Sequence, residues 1–376
     1  MRFLSTIARV GPGLLAALSS SPAVSEHDMM GRVKAVIYQE YGALPALADL
    51  PEPECPEDGV VISVGATGVC RSDWHAWKGH DPVLLPHVPG HELAGVVARV
   101  GSGVRLWKSG DRVTVPFVCG CGRCAWCESG EAQVCPDQTQ PGFTGHGSFA
   151  ERVAIHGADT NLVRLPEWVD FVTAASLGCR FATAFRAVAT HGRIGPGDWL
   201  AIHGCGGVGL SAVMIGAALG GRVVAVDVNS AALERATSLG AEAVVDASST
   251  PDVATAVQDL TGGGAHVSVD AFGSPELAVA SLRSLRRRGR HVQAGLLLGR
   301  SSTPPLPMDL VVSQELEIYG AHGMPARGYP AMLSMIEDGT LRPGDLVGQV
   351  IGLEDAGAAL AAMDRPSVTG MTVVRL

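Results

Sequence analysis

Leu200-Ala201-Ile202-His203-Gly204-Cys205-Gly206-Gly207-Val208-Gly209 runs a short apolar strand directly into a glycine-rich turn. A lone G-x-G-x-x-G pattern says little in a chain with 48 glycines. Its surroundings make it specific. An apolar helix follows, then a second buried strand, Val223-Val224-Ala225-Val226, which ends on Asp227. In such a unit Gly204 makes the tight turn, Gly206 lets the backbone approach a pyrophosphate, and Gly209 lets the helix pack closely on the strand. Gly207 and Val208 open the helix, whose N-terminus faces the phosphate charge. Asp227 stands where a carboxylate grips a ribose 2′-hydroxyl and repels a 2′-phosphate, which favours NAD over NADP.

The alternation continues outward. Ala231 to Leu239 reads as a helix, and Val267-Ser268-Val269 and His291-Val292-Gln293-Ala294 as further strands. This predicts an α/β, doubly wound parallel-sheet domain over residues 183–317. Upstream the pattern is mostly β: Val60–Val64, Glu92–Val100 and Asp111–Val115 are β-branched runs between Gly, Pro and Asp. The tail from 318 mixes a helix with a last strand, Met371–Val374, and is expected to return and complete the first domain, residues 31–182. Arg286-Arg287-Arg288 reads as the solvated end of a helix. Residues 1–30 read as a disordered extension or a misassigned start rather than an export signal, because Gly11-Pro12-Gly13 interrupts a short apolar run.

The chain has 376 residues, 47% of them hydrophobic, and a net charge of −9. That length fits two domains. The acidic balance argues against nucleic acid as a partner, and no stretch reaches the ~18 apolar residues of a membrane span. Nine cysteines are present, and four of them, Cys121, Cys124, Cys127 and Cys135, lie in CGRCAWCESGEAQVC. Their spacing suits a closed tetrahedral Cys₄ zinc site bracing a lobe over 119–136. An iron–sulfur cluster fits less well, since the last spacer is too long, and a disulfide framework belongs to small secreted domains. Zinc thiolates favour a reducing compartment, so the expected location is cytoplasmic.

Cys55, Cys70, Cys119, Cys179 and Cys205 remain. A catalytic zinc takes three protein ligands and keeps one position open. Cys70, His91 and Cys179 are candidates for it, though each alone is ambiguous: a buried cysteine is usually inert packing.

GVCRSDWH (68–75), PGHE (89–92), the four-cysteine lobe, LGCRFAT (177–183) and HGCGGVG (203–209) occur in the order found in a known family. From about residue 31 onward the chain resembles the zinc-dependent alcohol dehydrogenases of the medium-chain dehydrogenase/reductase superfamily. The resemblance implies a partly open, GroES-like β-barrel catalytic domain followed by a Rossmann domain. It implies two zinc ions per subunit, one structural and one catalytic on Cys70, His91 and Cys179, with NAD as cofactor. Glu92 resembles the acid behind the zinc and Asp73 the carboxylate that orients the histidine ligand. Ser72 and His75 match the two ends of a proton relay. Arg71 corresponds to a pyrophosphate-binding arginine, and Thr183 and Val208 to nicotinamide contacts. Phe117 occupies a substrate-pocket position, and Ala294 and Leu296 its cofactor end. Trp74 and Trp77 either pack or line the pocket.

The implied reaction is the interconversion of alcohols with aldehydes or ketones by hydride transfer. The length between motifs resembles tetrameric bacterial members, with a homodimer as the other option. Two departures stand out: where members often carry an arginine after a late glycine as a second pyrophosphate contact, Gly370 is followed by Met371, and Ala232 replaces a frequent basic residue. Two rivals are a polyol dehydrogenase, which often has glutamate in place of Cys179, and a non-catalytic zinc-stabilised nucleotide-binding protein, which would be expected to lack ligands or relay residues.

Overall fold

The computed structural model describes residues 31–365 and 370–376. The expectation for residues 1–30 lies outside the described residues. Fifteen strands are found among them. In chain order they are β1 (Arg32–Ile37), β2 (Ala46–Pro51), β3 (Val60–Val69), β4 (Glu92–Val100), β5 (Arg112–Thr114), β6 (Arg152–Ile155) and β7 (Val163–Arg164). Then come β8 (Trp199–His203), β9 (Arg222–Asp227), β10 (Ala243–Asp246), β11 (Ala265–Asp270), β12 (Leu285–Gln293), β13 (Glu317–Gly320), β14 (Val347–Ile351) and β15 (Met371–Arg375).

Six strands form one parallel sheet in the order β10-β9-β8-β11-β12-β13. The glycine-rich turn leaves β8, the strand on one side of the switch in order, where open α/β sheets bind ligands. All five residues of β8 are buried, as a strand covered on both faces requires. The Gly207–Ala218 helix starts where the turn ends. A Cβ on Gly209 would collide with the Gly204 carbonyl, so the close approach of helix to strand admits no side chain there.

The other large sheet runs β14-β15-β3-β4-β5-β7, with β6 also on β3. β3 is ten residues long and serves two neighbours along one edge. Its first half, Val60–Ser63, pairs with β6, and its second half, Ala66–Val69, pairs with β15. The chain end thus adds a strand to the sheet of β3. Buried Val60, Ile62, Leu93, Val97, Val113 and Val153 fill this barrel.

The arginine run differs from expectation. Arg283 ends a helix, but Arg286, Arg287 and Arg288 are exposed residues inside β12, with Arg288 at φ +59°. The strand begins before its more buried half, Gly289–Gln293, because Leu285 already pairs with Ala265. The sixth parallel strand also runs past the boundary expected at residue 317. Among the described residues, no helix is long and apolar enough to cross a membrane.

Candidate active site

Cys70 ends β3's approach to the Arg71–Trp77 helix, and Asp73 sits in that helix's first turn. The Asp73 carboxylate accepts from the Cys70 N–H at 3.1 Å, from the Gly90 N–H at 3.0 Å and from His91 Nδ1 at 2.7 Å. Because the carboxylate only accepts, His91 Nδ1 carries the hydrogen and Nε2 keeps its lone pair. That Nε2 is buried and has no partner. Cys179 comes from a π-helical turn, Leu177–Phe181, a local widening often found at functional sites.

Donor atoms of Cys70, His91, Glu92 and Cys179, all buried, lie within 4.8 Å of one another. Two sulfurs and one unpartnered imidazole nitrogen suit zinc. Burial opposes a charge on His91, while Asp73 and the Cys70 thiolate pull its pKa upward, so positive charge is favoured at Nε2, where a bound cation would take the place of a second proton. The Cys179 thiol donates to Cys70 and so draws Cys70 well down.

Glu92 faces the same centre but is engaged behind it. Arg180 donates to it from Nε and from the backbone N–H, both at 3.0 Å, and from Nη2. Burial, helped by the neighbouring Cys70 thiolate, raises the Glu92 carboxyl above its ordinary value, although Arg180 works in the opposite direction. Arg180 escaped the sequence reading. Its signal was a lone charge in the apolar run around Cys179, a residue type rarely buried without a partner.

Ser72 Oγ lies 3.9 Å from Cys70 Sγ, and His75 Nδ1 lies 3.2 Å from His80 Nδ1 at the outer edge of the site. Burial first, then His80 and Arg71, holds His75 below the ordinary imidazole value. Phe117 packs near His91, with ring centroids 5.9 Å apart. Phe143, 5.2 Å from His91, and His322, 5.2 Å from Phe117, stand beside it and were not anticipated.

The two tryptophans pack rather than line the pocket. Trp77 is a core residue whose Nε1 donates to the Ala43 carbonyl at 2.6 Å. It lies on the buried face of the helix with Asp73 and Ala76. Trp74 turns toward the chain end, donating to Asp364 at 2.7 Å, with the Arg71 guanidinium 4.8 Å over its ring. Arg71 itself is exposed and donates to the Met363 carbonyl at 2.6 Å.

At the dinucleotide turn Asp227 accepts from the N–H groups of Cys205 at 2.6 Å and Asn229 at 2.9 Å. Thr183 is buried just after the π-helical turn. Ala294 and Leu296 follow β12 at the same end of the sheet, Ala294 held by its N–H on the Asp270 carbonyl.

The four lobe sulfurs also lie within 4.8 Å of one another. Cys124 and Cys135 Sγ are 3.7 Å apart. Four thiolates at ~2.3 Å from one zinc stand about 3.8 Å apart, whereas a disulfide needs ~2.05 Å. The Arg123 N–H, pointing at Cys121 Sγ, draws that thiol down to about 7. Cys119 belongs to neither group. Buried among apolar residues, it is pushed up to about 12 and packs as a small hydrophobe.

Residues 56–167 match the family described as alcohol dehydrogenase GroES-like domain, and residues 207–338 the zinc-binding dehydrogenase family. An alcohol dehydrogenase of Geobacillus stearothermophilus is 31% identical over 347 residues, covering 92% of this chain and 100% of that protein. A solved NAD-dependent alcohol dehydrogenase superposes with a TM-score of 0.82 at 32% identity, covering 91% of this chain and 99% of that one. A zinc-binding dehydrogenase from Sinorhizobium meliloti bound to NADP gives a TM-score of 0.81 at 25% identity, with 92% and 100% covered. With two metal-ready clusters, a dinucleotide turn and matches along both halves, the chain belongs to the zinc-dependent alcohol dehydrogenases of the medium-chain dehydrogenase/reductase superfamily.

Proposed function

We propose that the protein is an NAD-dependent alcohol dehydrogenase holding two zinc ions per subunit. The observation that carries this is the buried Cys70, His91, Cys179 set with an unpartnered His91 Nε2, adjoining the dinucleotide turn through Arg180. Zinc, once bound, supplies a Lewis acid that acidifies an alcohol or polarises a carbonyl. The chain's own residues do the rest. Ser72 takes the proton beside the ligand Cys70. His75, whose pKa is held down by burial and then by His80 and Arg71, would accept that proton and pass it to the surface once a bound nicotinamide ribose joined it to Ser72. Thr183, Val208, Ala294 and Leu296 hold the nicotinamide for hydride transfer, and Asp227 favours NAD because a 2′-phosphate would meet its carboxylate.

Phe117 and Phe143 beside His91 support an aromatic or medium-length apolar alcohol over ethanol. Cys179 in the third ligand position argues against a polyol dehydrogenase. The intact ligand and relay set argues against a non-catalytic protein. The length between motifs, similar to that of tetrameric bacterial members, supports a homotetramer, which light scattering distinguishes from a dimer, and the thiols support a reducing, cytoplasmic location. The test is a panel of primary, secondary and aromatic alcohols with NAD and NADP, following the reduced nicotinamide, on protein with measured zinc. NAD turnover well above NADP is expected. No turnover on any alcohol or aldehyde with two zinc ions per chain would refute the proposal.

A further inference from the structure

We propose that Arg180 is a positioning residue through which cofactor binding is felt at the metal site, a view that rests on the dehydrogenase reading above. Three observations meet at this side chain. Its guanidinium and backbone N–H engage both oxygens of Glu92, a buried carboxylate within 4.8 Å of the other metal donors. Its aliphatic stem lies on the first turn of the dinucleotide helix, where a Cβ added to Gly207 would collide with Arg180 Cδ. The third is in the sequence: where members of the family often carry an arginine after a late glycine, Gly370 is followed by Met371. Arg180 is thus a buried cation touching both halves of the site.

Two anions compete for it. In the cofactor-free enzyme Glu92 has the guanidinium to itself and is held back from the metal. A pyrophosphate at the N-terminus of the Gly207–Ala218 helix draws on the same donors, and the hold on Glu92 loosens. The carboxylate is then free to shift toward the metal. Coupling of this kind is reciprocal: whatever removes Glu92's claim on Arg180 must strengthen cofactor binding.

The experiment uses the full-length enzyme with zinc, and with Co(II) exchanged into the catalytic site. NAD affinity is read by tryptophan fluorescence and the metal environment by Co(II) absorption. In the unaltered enzyme NAD shifts the Co(II) bands. Glu92→Gln, which keeps shape but drops the charge, binds NAD about 3–10-fold tighter. Arg180→Gln binds it about 10-fold more weakly, and its Co(II) bands no longer respond to NAD. Arg180→Lys, with a point charge in place of a fork, falls between them. In the double variant the tightening by Glu92→Gln disappears. A merely structural ion pair gives no tightening, so unchanged or weaker NAD binding by Glu92→Gln overturns the proposal. So does an undiminished NAD-induced band shift in Arg180→Gln. Should Arg180→Gln fail to fold, Glu92→Gln and Arg180→Lys decide alone. An unaltered enzyme that binds no NAD overturns the dehydrogenase reading together with the coupling, whereas normal NAD binding with uncoupled variants overturns the coupling alone.

Discussion

Asp73 is fully buried and serves three donors with one carboxylate, two of them backbone N–H groups beside metal ligands. Asn at this position keeps the volume but offers one acceptor oxygen and adds an unwanted donor, so His91 loses its fixed tautomer. Asp73→Asn is expected to lower metal affinity at the catalytic site about 10–100-fold, measured by competition with a chromogenic chelator, with circular dichroism unchanged. Cys179→Ser is expected to abolish turnover with the fold retained and the zinc count falling from two to one. These residues were legible as candidate ligands because sulfur and imidazole in short motifs leave few uses. Arg180 and Phe143 were not. An arginine is buried only where its counter-charge waits, and that partner, Glu92, is far away in sequence. Phe143 has no chemical signature at all, and only the return of its loop to His91 gives it a place.

The four-cysteine lobe is an element too small to hold itself, and a structural zinc on its sulfurs would supply what its packing does not. Its first helical turn, Ala125–Glu128, buries no residue and exposes Trp126, and its second, Ala132–Val134, buries only Ala132 and Gln133. Cys124→Ser is therefore expected to lower Tm and raise proteolysis at the lobe before it affects chemistry. Unaltered stability with lost turnover would reverse the assignment of the two clusters. Glu131 anchors the same lobe to the body of the protein: it accepts from Arg186 at 2.8 Å and Arg327 at 2.7 Å, residues distant in sequence. Glu131→Gln should cost about 1 kcal/mol, given partial exposure, and show as faster amide exchange confined to 121–135 with zinc still bound. Element types were readable wherever hydrophobic periodicity ruled. They failed where polar residues extend a strand, as at Arg286–Arg288, because pairing with β11 rather than composition sets where β12 begins. Trp77 was ambiguous for the same reason. The helical face it occupies is decided by Asp73 facing inward, which the sequence alone did not reveal.

Stability of the whole chain should carry a pH signature from the parallel sheet. His203, the last residue of β8, is fully buried, and burial, followed by the charge of His291, pushes it down to about 3. Unfolded, it titrates near 6.5. The folded state therefore binds fewer protons between those values, and stability falls as pH drops below 6.5 toward 3. At pH 5 the loss is about 2 kcal/mol. His203→Gln should show a smaller Tm difference between pH 7 and pH 5 than the unaltered protein. An equal difference would mean that His203 finds a proton-accepting environment in the fold. At this scale the order of motifs and the returning tail were legible, since each segment's period differs, while the shared edge of β3 was not.

That shared edge has a consequence for synthesis. β3 emerges from the ribosome early, but its neighbour β15 comes about 300 residues later, roughly 15–60 s at ordinary elongation rates. The six-strand sheet, β8 to β13, is complete before that. Although it is encoded second, the nucleotide-binding half is able to close first, while the half encoded first waits for the final five-residue strand with an unpaired edge and reduced thiols. A nascent chain of this kind is most vulnerable in its oldest part, and a holding chaperone or early zinc loading would protect it there.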